Sequence, residues 1–124
     1  MSTVQSPFAW SLRISVVPAG PETLRITVVG DLDAFTVRQL SDQVNQTFSV
    51  NRPDRIELDL DGVEFVDSAA AIQLRRLYHQ AIDAGCHLRI IAAQQYTWWV
   101  LNTLGLTAIF PGPAGRRGQS EPGS

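Results

Sequence analysis

Residues 55–71 read RIELDLDGVEFVDSAAA, and this stretch joins two periodicities that together predict an α/β fold. Its first six residues alternate charged and apolar side chains, which is typical of a strand with one buried face. From Ser68 onward apolar residues recur at helical spacing, and Gly85 is placed to end that helix. Between them, DGVEFVDS is expected to be a loop at the carboxyl end of the strand, where open α/β sheets usually place function.

Further strands are predicted on both sides of this stretch. Residues 10–17 and 24–29 alternate apolar and polar positions around the turn PAGPE, so they indicate a hairpin. After the helix that begins at Ser68, HLRIIA reads as another strand and residues 95–104 as a last helix. The pattern predicts a single α/β domain, a mixed sheet of four to five strands with helices packed mainly on one face.

The helix between the hairpin and the central strand has the clearest start in the sequence. Residues 34–48, AFTVRQLSDQVNQTF, carry apolar side chains at helical spacing. Thr36 and Gln39 match the capping-box pattern, and Phe35 is placed to contact Leu40 as a hydrophobic staple. We therefore expect Thr36 to cap this helix.

Length and composition divide the chain into one domain and a tail. Residues 1–110 are enough for a single domain with a sizeable core. Residues 111–124, PGPAGRRGQSEPGS, are rich in Gly, Pro and Ser and have no large apolar side chain to anchor them. We expect this tail to be disordered.

Charge and cysteine content exclude several classes of protein. The chain has 12 acidic and 10 basic residues, a formal net charge of -2 and a pI near 5.5, which disfavours nucleic-acid and anionic-membrane partners. It has no apolar run of the roughly 20 residues that span a bilayer and no signal-peptide pattern, so a cytoplasmic location is expected. The single cysteine, Cys86, excludes an internal disulfide and a multi-cysteine metal site, and we expect neither metal nor cofactor.

One enzyme class shares part of the central stretch. DLDG followed by DS is close to the nucleophile loop of the haloacid dehalogenase phosphotransferases, with Asp59 and Asp61 in the first two positions. That chemistry also needs a lysine, and all ten basic residues here are arginine. The spacing from Gly62 to the DS pair is one residue too long as well. The residues favour a solvated strand face followed by a turn, and a protein that is not an enzyme.

Four stretches, in order, resemble the STAS domain, the fold shared by sulphate transporter tails and bacterial anti-sigma factor antagonists. They are GDLDAFT, IELDLDGVEFVDSAA, DAGCHLRIIA and VLNTLGLTAIF. The resemblance covers about residues 8–110. It implies a STAS fold and, by similarity to the antagonists, a protein that binds an anti-sigma factor with serine kinase activity and releases a sigma factor.

The same resemblance implies a phosphorylation site. Anti-sigma factor antagonists carry a pattern similar to D-S-S-G-L after the third strand, and the partner kinase phosphorylates the first serine. Asp67 and Ser68 match the first two positions, whereas Ala69 and Ala70 replace the second serine and the glycine. Ser68 is the implied phosphorylation site, and Ile72 completes the surface expected to contact the partner together with Asp67 and the two alanines.

Two acidic residues before the first helix belong to the same expected surface. Asp33 matches the acidic residue of the family's G-x-L-D loop, and Asp31 lies two residues before it. Ser and Asp are also the ordinary residues of a helix start or a turn. Ser68 could therefore be a plain N-cap, and Asp33 an ordinary turn residue.

Trp98 and Trp99 stand side by side in the last predicted helix. Adjacent helical residues point about 100° apart, so one core stripe cannot bury both rings. At least one indole is expected to be partly exposed, either as an interface with a partner or a second copy, or as a ring packed over the sheet edge.

The sequence leaves two functions open for a STAS domain of this kind. The first is the antagonist switched off by phosphorylation of Ser68. The alternative is a STAS protein-interaction module that works without phosphorylation, in a transporter-associated or signalling assembly, and the alanines after Ser68 favour it.

Overall fold

The computed structural model describes residues 2–4 and 12–106, which form one five-stranded mixed sheet and three helices. The elements, in chain order, are β1 (Ser2–Val4), β2 (Arg13–Gly20), β3 (Thr23–Leu32), α1 (Val37–Asn51), β4 (Arg55–Val66), α2 (Ser68–Asp83), β5 (His87–Ala93) and α3 (Gln95–Thr103).

Strand order in the sheet follows the chain, β1-β2-β3-β4-β5. The first three strands are antiparallel, whereas β3, β4 and β5 run parallel. Parallel neighbours need a crossover, and α1 and α2 supply the two that are required. The predicted α/β class and mixed sheet are confirmed. The three-residue strand β1 was missed, because a segment that short carries no readable periodicity.

The core lies between one face of the sheet and the helices. In β4 the side chains of Ile56, Leu58 and Leu60 are fully buried, while the charged residues between them are only half-buried. Each helix contributes a buried stripe to the same core, with Leu40, Leu74 and Leu101 among its members. The other face of the sheet carries residues of intermediate exposure, so the expected packing of helices on one face is confirmed.

Strands β3 and β4 extend further than the sequence pattern predicts. The expected loop DGVEFVDS is strand as far as Val66, and β3 continues to Leu32 instead of ending near residue 29. The extension depends on Gly62, which pairs with Val29 across the two strands. A Cβ atom at Gly62 would lie 2.8 Å from Val29 Cγ2, so glycine permits this close approach.

The start of α1 differs from the expected capping box and staple. Thr36 makes no side-chain cap bond, and the Gln39 side chain accepts a hydrogen bond from the Leu12 backbone N–H at 3.1 Å instead. Phe35 is 81% exposed, so it does not close over Leu40 as a staple. Both predictions were wrong, because the Asp33 carboxylate accepts hydrogen bonds from the backbone N–H groups of Phe35 and Thr36, and the Gln39 amide bonds the Leu12 backbone.

The end of α2 is as the sequence predicts. Gly85 has φ +77°, its N–H bonds the Ile82 carbonyl at 3.0 Å, and the Cys86 N–H bonds the Ala81 carbonyl at 2.8 Å. This pair of bonds is the Schellman arrangement, which needs a residue that adopts a left-handed conformation without strain. The predicted tail, residues 111–124, and the end of the predicted domain lie outside the described residues.

Candidate functional site

The carboxyl ends of β3 and β4 lie side by side and place the start of α2 next to the β3–α1 turn. Leu32 pairs with Val66, and the Asp67 N–H donates to the Leu32 carbonyl at 3.1 Å. Asp31 pairs with Phe65 one step earlier, on the face of the sheet opposite the buried Leu32 and Val66. We call this end of the molecule the Ser68 edge, since Ser68 follows directly.

Asp67, not Ser68, caps α2. Asp67 has extended backbone (φ -96°, ψ 172°), and its side chain accepts a hydrogen bond from the Ala70 N–H at 2.8 Å. The Ala71 N–H bonds the Asp67 carbonyl at 3.0 Å, which is the first intrahelical bond. Interpreting Ser68 as a plain N-cap is therefore wrong, because the carboxylate one residue earlier already fills that role.

Ser68 is the first residue of α2 and is exposed. Among the described residues, none forms a hydrogen bond with its hydroxyl group. The cap formed by Asp67 fixes the backbone just before Ser68, and the Ser68 hydroxyl takes no part in that cap. A neutral hydroxyl in this position is open to solvent and to a partner.

Asp33 organises the loop that faces this helix start. Its carboxylate accepts hydrogen bonds from the backbone N–H groups of Phe35 at 2.8 Å and Thr36 at 2.9 Å. The bond from the Thr36 backbone is the main cause that lowers the pKa of Asp33 below its ordinary value. Burial is the next-largest effect and opposes it, and the bond from the Phe35 backbone lowers the pKa further. The Thr36 hydroxyl donates to the Asp31 carbonyl at 2.6 Å and accepts from the Asp33 N–H at 2.9 Å. Asp33 is thus a turn-forming residue whose charge stays at the Ser68 edge.

Three large apolar side chains of the two strand-end segments and of α2 are exposed. Phe35 is 81% exposed, Phe65 42% and Ile72 43%. The two phenylalanines were not among the predicted contact residues. Both residues lie in stretches that the sequence indicated as functional, Phe35 in GDLDAFT and Phe65 in DGVEFVDS. They were missed because a phenylalanine next to a strand whose end is unknown can equally be a core residue.

The alanines that replace the family's Ser-Gly pair have different positions. Ala69 is exposed, whereas Ala70 is fully buried in the core. Ala70 therefore contributes no side chain to a partner surface, and its inclusion there is corrected. A helical stripe fixed by Leu74 places Ala70 inward, because residues four apart share one helix face.

A polar groove of about 580 Å³ runs between α1 and α2 beside Ser68. The Gln73 side chain donates to the Ser41 hydroxyl at 3.3 Å and bridges the two helices. Residues lining the groove are Ala34, Val37, Arg38, Ser41, Asp42, Ala69 and Gln73. Arg38 and Asp42 of α1 therefore line the same groove as Ala69, the residue after Ser68.

The paired tryptophans of α3 are divided between core and surface. Trp98 is half-buried and packs against the core, whereas Trp99 is 62% exposed. The Trp99 ring stacks on Tyr96 with centroids 6.2 Å apart and an interplanar angle of 27°. The prediction that at least one indole is exposed is confirmed, and Tyr96 was missed as its neighbour.

The two aspartates considered for phosphoryl transfer lie within β4. The Asp59 side chain accepts a hydrogen bond from the Asp61 N–H at 3.0 Å, and the Asp61 carbonyl accepts one from the Gln94 side chain at 2.8 Å. These bonds hold a strand irregularity where the pairing register with β5 shifts after Leu58. The positions of Asp59 and Asp61 are therefore explained by strand structure. The turn expected after Asp59 is absent there, because β4 continues to Val66.

Other features of the described residues concern metals, membranes and thiol chemistry. Within residues 2–4 and 12–106 no group of three His, Cys, Asp or Glu side chains is arranged to hold a metal ion. The same part of the chain has no helix long and apolar enough to span a membrane. Burial is the main cause that raises the pKa of Cys86 to about 11, with the charge of Asp54 adding to it, so the unreactive thiol form is favoured.

Comparison with known proteins identifies the family. Residues 15–111 match the family model described as "Mlab, STAS domain". No curated protein sequence matches the chain significantly. The family match covers well over half of the chain.

Among solved structures, the fold is similar to that of an anti-sigma factor antagonist from Mycobacterium paratuberculosis, with TM-score 0.74, 21% identity and coverage of 90% of this chain and 91% of that one. The Bacillus cell fate determinant SpoIIAA in its phosphorylated form matches with TM-score 0.61 and 14% identity, over 86% of this chain and 96% of that chain. Its unphosphorylated form matches with TM-score 0.61 and 15% identity, over 86% and 92%. With the sheet order and the Ser68 edge in place, these matches lead to one conclusion: the chain belongs to the STAS domain family.

Proposed function

We propose that this protein is an anti-sigma factor antagonist that binds an anti-sigma factor with serine kinase activity, and that phosphorylation of Ser68 ends the binding. The observation that carries the proposal is the Ser68 hydroxyl at the first position of α2, which is exposed and forms a hydrogen bond with none of the described residues. Family membership and the fold shared with anti-sigma factor antagonists support it. In this proposal the unmodified protein captures the anti-sigma factor and so releases a sigma factor.

The electrostatics of the helix start explain why a phosphate would act as a switch. A phosphoryl group adds a charge of roughly -1.5 to -2 at neutral pH. The Asp67 carboxylate already occupies the Ala70 N–H, so the new anion would lie beside an existing one. In free protein, solvent and the helix dipole accommodate both charges. In a complex the partner would have to desolvate them together, which is unfavourable without a matching cation.

The proposed contact surface combines charge with apolar area. Asp31, Asp33 and Asp67 supply the acidic part, with Asp33 held ionised by its bonds to backbone N–H groups. The apolar part comprises Ala69 and Ile72, to which we add Phe35 and Phe65 because of their exposure. Clusters of exposed aromatic side chains are typical of protein interfaces.

Other attributes follow from this proposal. The protein acts as a binding partner and not as an enzyme, it needs no cofactor, and it works in the cytoplasm where the sigma factor is found. The exposed Trp99, stacked on Tyr96, is a candidate for a second contact with the partner or with another copy of the chain.

The experiment is a pull-down from source-organism cytosol with four baits. Wild type, Ser68→Ala and Ser68→Asp test the switch, and Asn45→Asp adds one charge at an exposed position of α1 as the matched control. We expect an ATP-binding kinase to be retained by every bait except Ser68→Asp. Incubation of that kinase with wild type and ATP should place phosphate on Ser68, located by mass spectrometry. Retention by all four baits, or phosphate on another residue, would contradict the proposal.

A second candidate function is a STAS interaction module that works without phosphorylation in a transporter-associated or signalling assembly. One observation favours it: alanines follow Ser68 where the antagonists have Ser-Gly. This candidate predicts one partner, not a kinase, that Ser68→Asp and Asn45→Asp retain equally.

A further inference from the structure

A second groove lies between α1 and the β2–β3 hairpin, at the end of the sheet opposite Ser68. Its volume is about 320 Å³. The residues that line it are Val16, Pro18, Leu24, Gln43, Gln46, Thr47, Val50 and Asn51. Three of these side chains end in a carboxamide, so we call this feature the carboxamide groove.

The floor of the groove is apolar and comes from the hairpin. Pro18 pairs with Leu24, and Val16 lies two residues before Pro18, so the three side chains project from the same face of the sheet. The fully buried Ile26, which pairs with Val16, shows that this is the face on which the helices pack. Val16 and Leu24 are only half-buried and Pro18 is exposed. The helices therefore leave this end of the hairpin partly uncovered.

One face of α1 supplies the polar wall of the groove. Gln43, Gln46, Thr47 and Val50 follow one another at helical spacing, so their side chains lie on neighbouring positions of the helix surface. The buried Thr47 hydroxyl donates to the Gln43 backbone carbonyl at 2.8 Å. The hydroxyl proton is thereby used within the helix, and the carboxamides are the side-chain donors that the wall offers to a ligand.

Gln43 is the central polar group of this wall. It is only 8% exposed, yet none of the described residues forms a hydrogen bond with its carboxamide. The side chains of Gln39, Gln73 and Gln94, by contrast, each bond a group of the fold. Buried polar groups in folded proteins are nearly always hydrogen-bonded. The Gln43 carboxamide is therefore left to bond a molecule that enters the groove.

The lining restricts the chemistry of that molecule. None of the described lining residues is ionisable, so a charged ligand group would lose its water without gaining a counter-charge. A carboxamide presents N–H donors and an acceptor oxygen side by side, and an uncharged amide matches it in both respects. The volume lies at the lower limit of the roughly 300–1,000 Å³ that enclose small molecules, which favours one residue of a longer chain.

We propose that the carboxamide groove binds an uncharged peptide segment of a partner protein, with one large apolar side chain on the hairpin floor and a main-chain amide bonded to Gln43. Leu24 lies near the start of β3 and Leu32 at its end, so the groove is roughly 25 Å from the Ser68 edge at about 3.3 Å per residue. Groove residues do not contact the Ser68 edge over that distance. Peptide binding here therefore does not depend on the state of Ser68.

The test is a titration of the isotope-labelled full chain, followed by amide correlation NMR spectra, which resolve backbone N–H and side-chain NH₂ groups separately. The probe is a tripeptide with leucine between two glycines, acetylated at one end and methylamidated at the other so that it carries no charge. The same tripeptide with glutamate in place of leucine is the ligand control. Gln43→Met removes the carboxamide at similar side-chain length, and Gln80→Met is the matched control at an exposed position of α2. Circular dichroism verifies that both variants are folded.

We expect the leucine peptide, added to about 10 mM so that millimolar affinities are measurable, to shift the Gln43 side-chain NH₂ signals together with backbone signals of the groove. Gln43→Met should weaken binding by roughly fivefold or more, as expected for the loss of one hydrogen bond. Gln80→Met should leave the affinity within about twofold of wild type, since it lies outside the groove.

Three results would overturn the proposal: no saturable shift of the groove signals, equal binding of the glutamate peptide, or equal affinities of Gln43→Met and Gln80→Met. The wild-type titration is decisive even if Gln43→Met does not fold, because the Gln43 side-chain signals report the proposed bond directly.

Discussion

Replacing Gly62 by alanine is expected to destabilise the protein, because β3 and β4 approach too closely there for a Cβ atom. That atom would lie 2.8 Å from Val29 Cγ2, 3.1 Å from the Val28 carbonyl oxygen and 3.3 Å from Val29 Cα. The first contact involves a β-branched side chain that is stiff at χ1, and the other two involve backbone. Overpacking of this kind costs about 1–3 kcal/mol, so we expect the free energy of unfolding to fall by about 2 kcal/mol.

Urea unfolding followed by circular dichroism measures that change, and a double-mutant cycle identifies its cause. Val29→Ala removes the Cγ2 atom, so the double variant should be more stable than the sum of the single effects by roughly 1 kcal/mol. Gly85→Ala is the matched control. A Cβ at Gly85 meets nothing within 4 Å, and its φ of +77° predicts a backbone cost that does not couple to Val29. Strictly additive effects of Gly62→Ala and Val29→Ala would refute the clash with the Val29 side chain.

Three further predictions concern the helix ends and the Asp33 turn. Asp67→Ala should lower the free energy of unfolding by about 1 kcal/mol, whereas Asp67→Ser, which keeps a capping oxygen, should stay within a few tenths; urea unfolding distinguishes the two. Arg52→Gly should raise the free energy of unfolding by about 0.5 kcal/mol, since Arg52 ends α1 at φ 47° and ψ 54°, and a lower denaturation midpoint would contradict this. The pKa of Asp33 is lower in the folded than in the unfolded chain, so its contribution to stability is complete above the ordinary carboxyl pKa of about 3.9 and is lost as pH falls through the lowered value. The stability difference between wild type and Asp33→Asn should therefore shrink below that pH, as measured by unfolding at several pH values.

Local periodicity was sufficient to predict most of the fold. The alternation in RIELDL identified the buried face of β4, and Gly85 gave the end of α2, since both depend on residues close in sequence. The extension of β4 to Val66 could not be read in the same way. It depends on parallel pairing with β3, and the irregular register around Gly62 breaks the alternation that would have indicated a strand.

The candidate site was predicted in its location but not in its details. Asp67 and Ser68 are equally good N-caps by type, so only the bond from the Ala70 N–H decides between them. Phe35 and Thr36 matched the patterns of a hydrophobic staple and an N-cap. The Thr36 hydroxyl instead donates to the Asp31 carbonyl five residues back, and Phe35 remains exposed. Which side chains a turn buries depends on such tertiary bonds, and these have no local signature.

The bond from the Asp67 N–H to the Leu32 carbonyl also has a consequence for the biogenesis of the protein. These residues are separated by a whole helix and strand, so the backbone that presents Ser68 forms only when β3 and β4 have paired. Pairing over such a sequence distance is a late event compared with closure of the β2–β3 hairpin. Until that pairing has formed, Ser68 lies in a segment that lacks its native backbone arrangement. An enzyme that recognises the shape of this helix start, and not its local sequence, would modify mature copies and leave nascent or misfolded ones untouched.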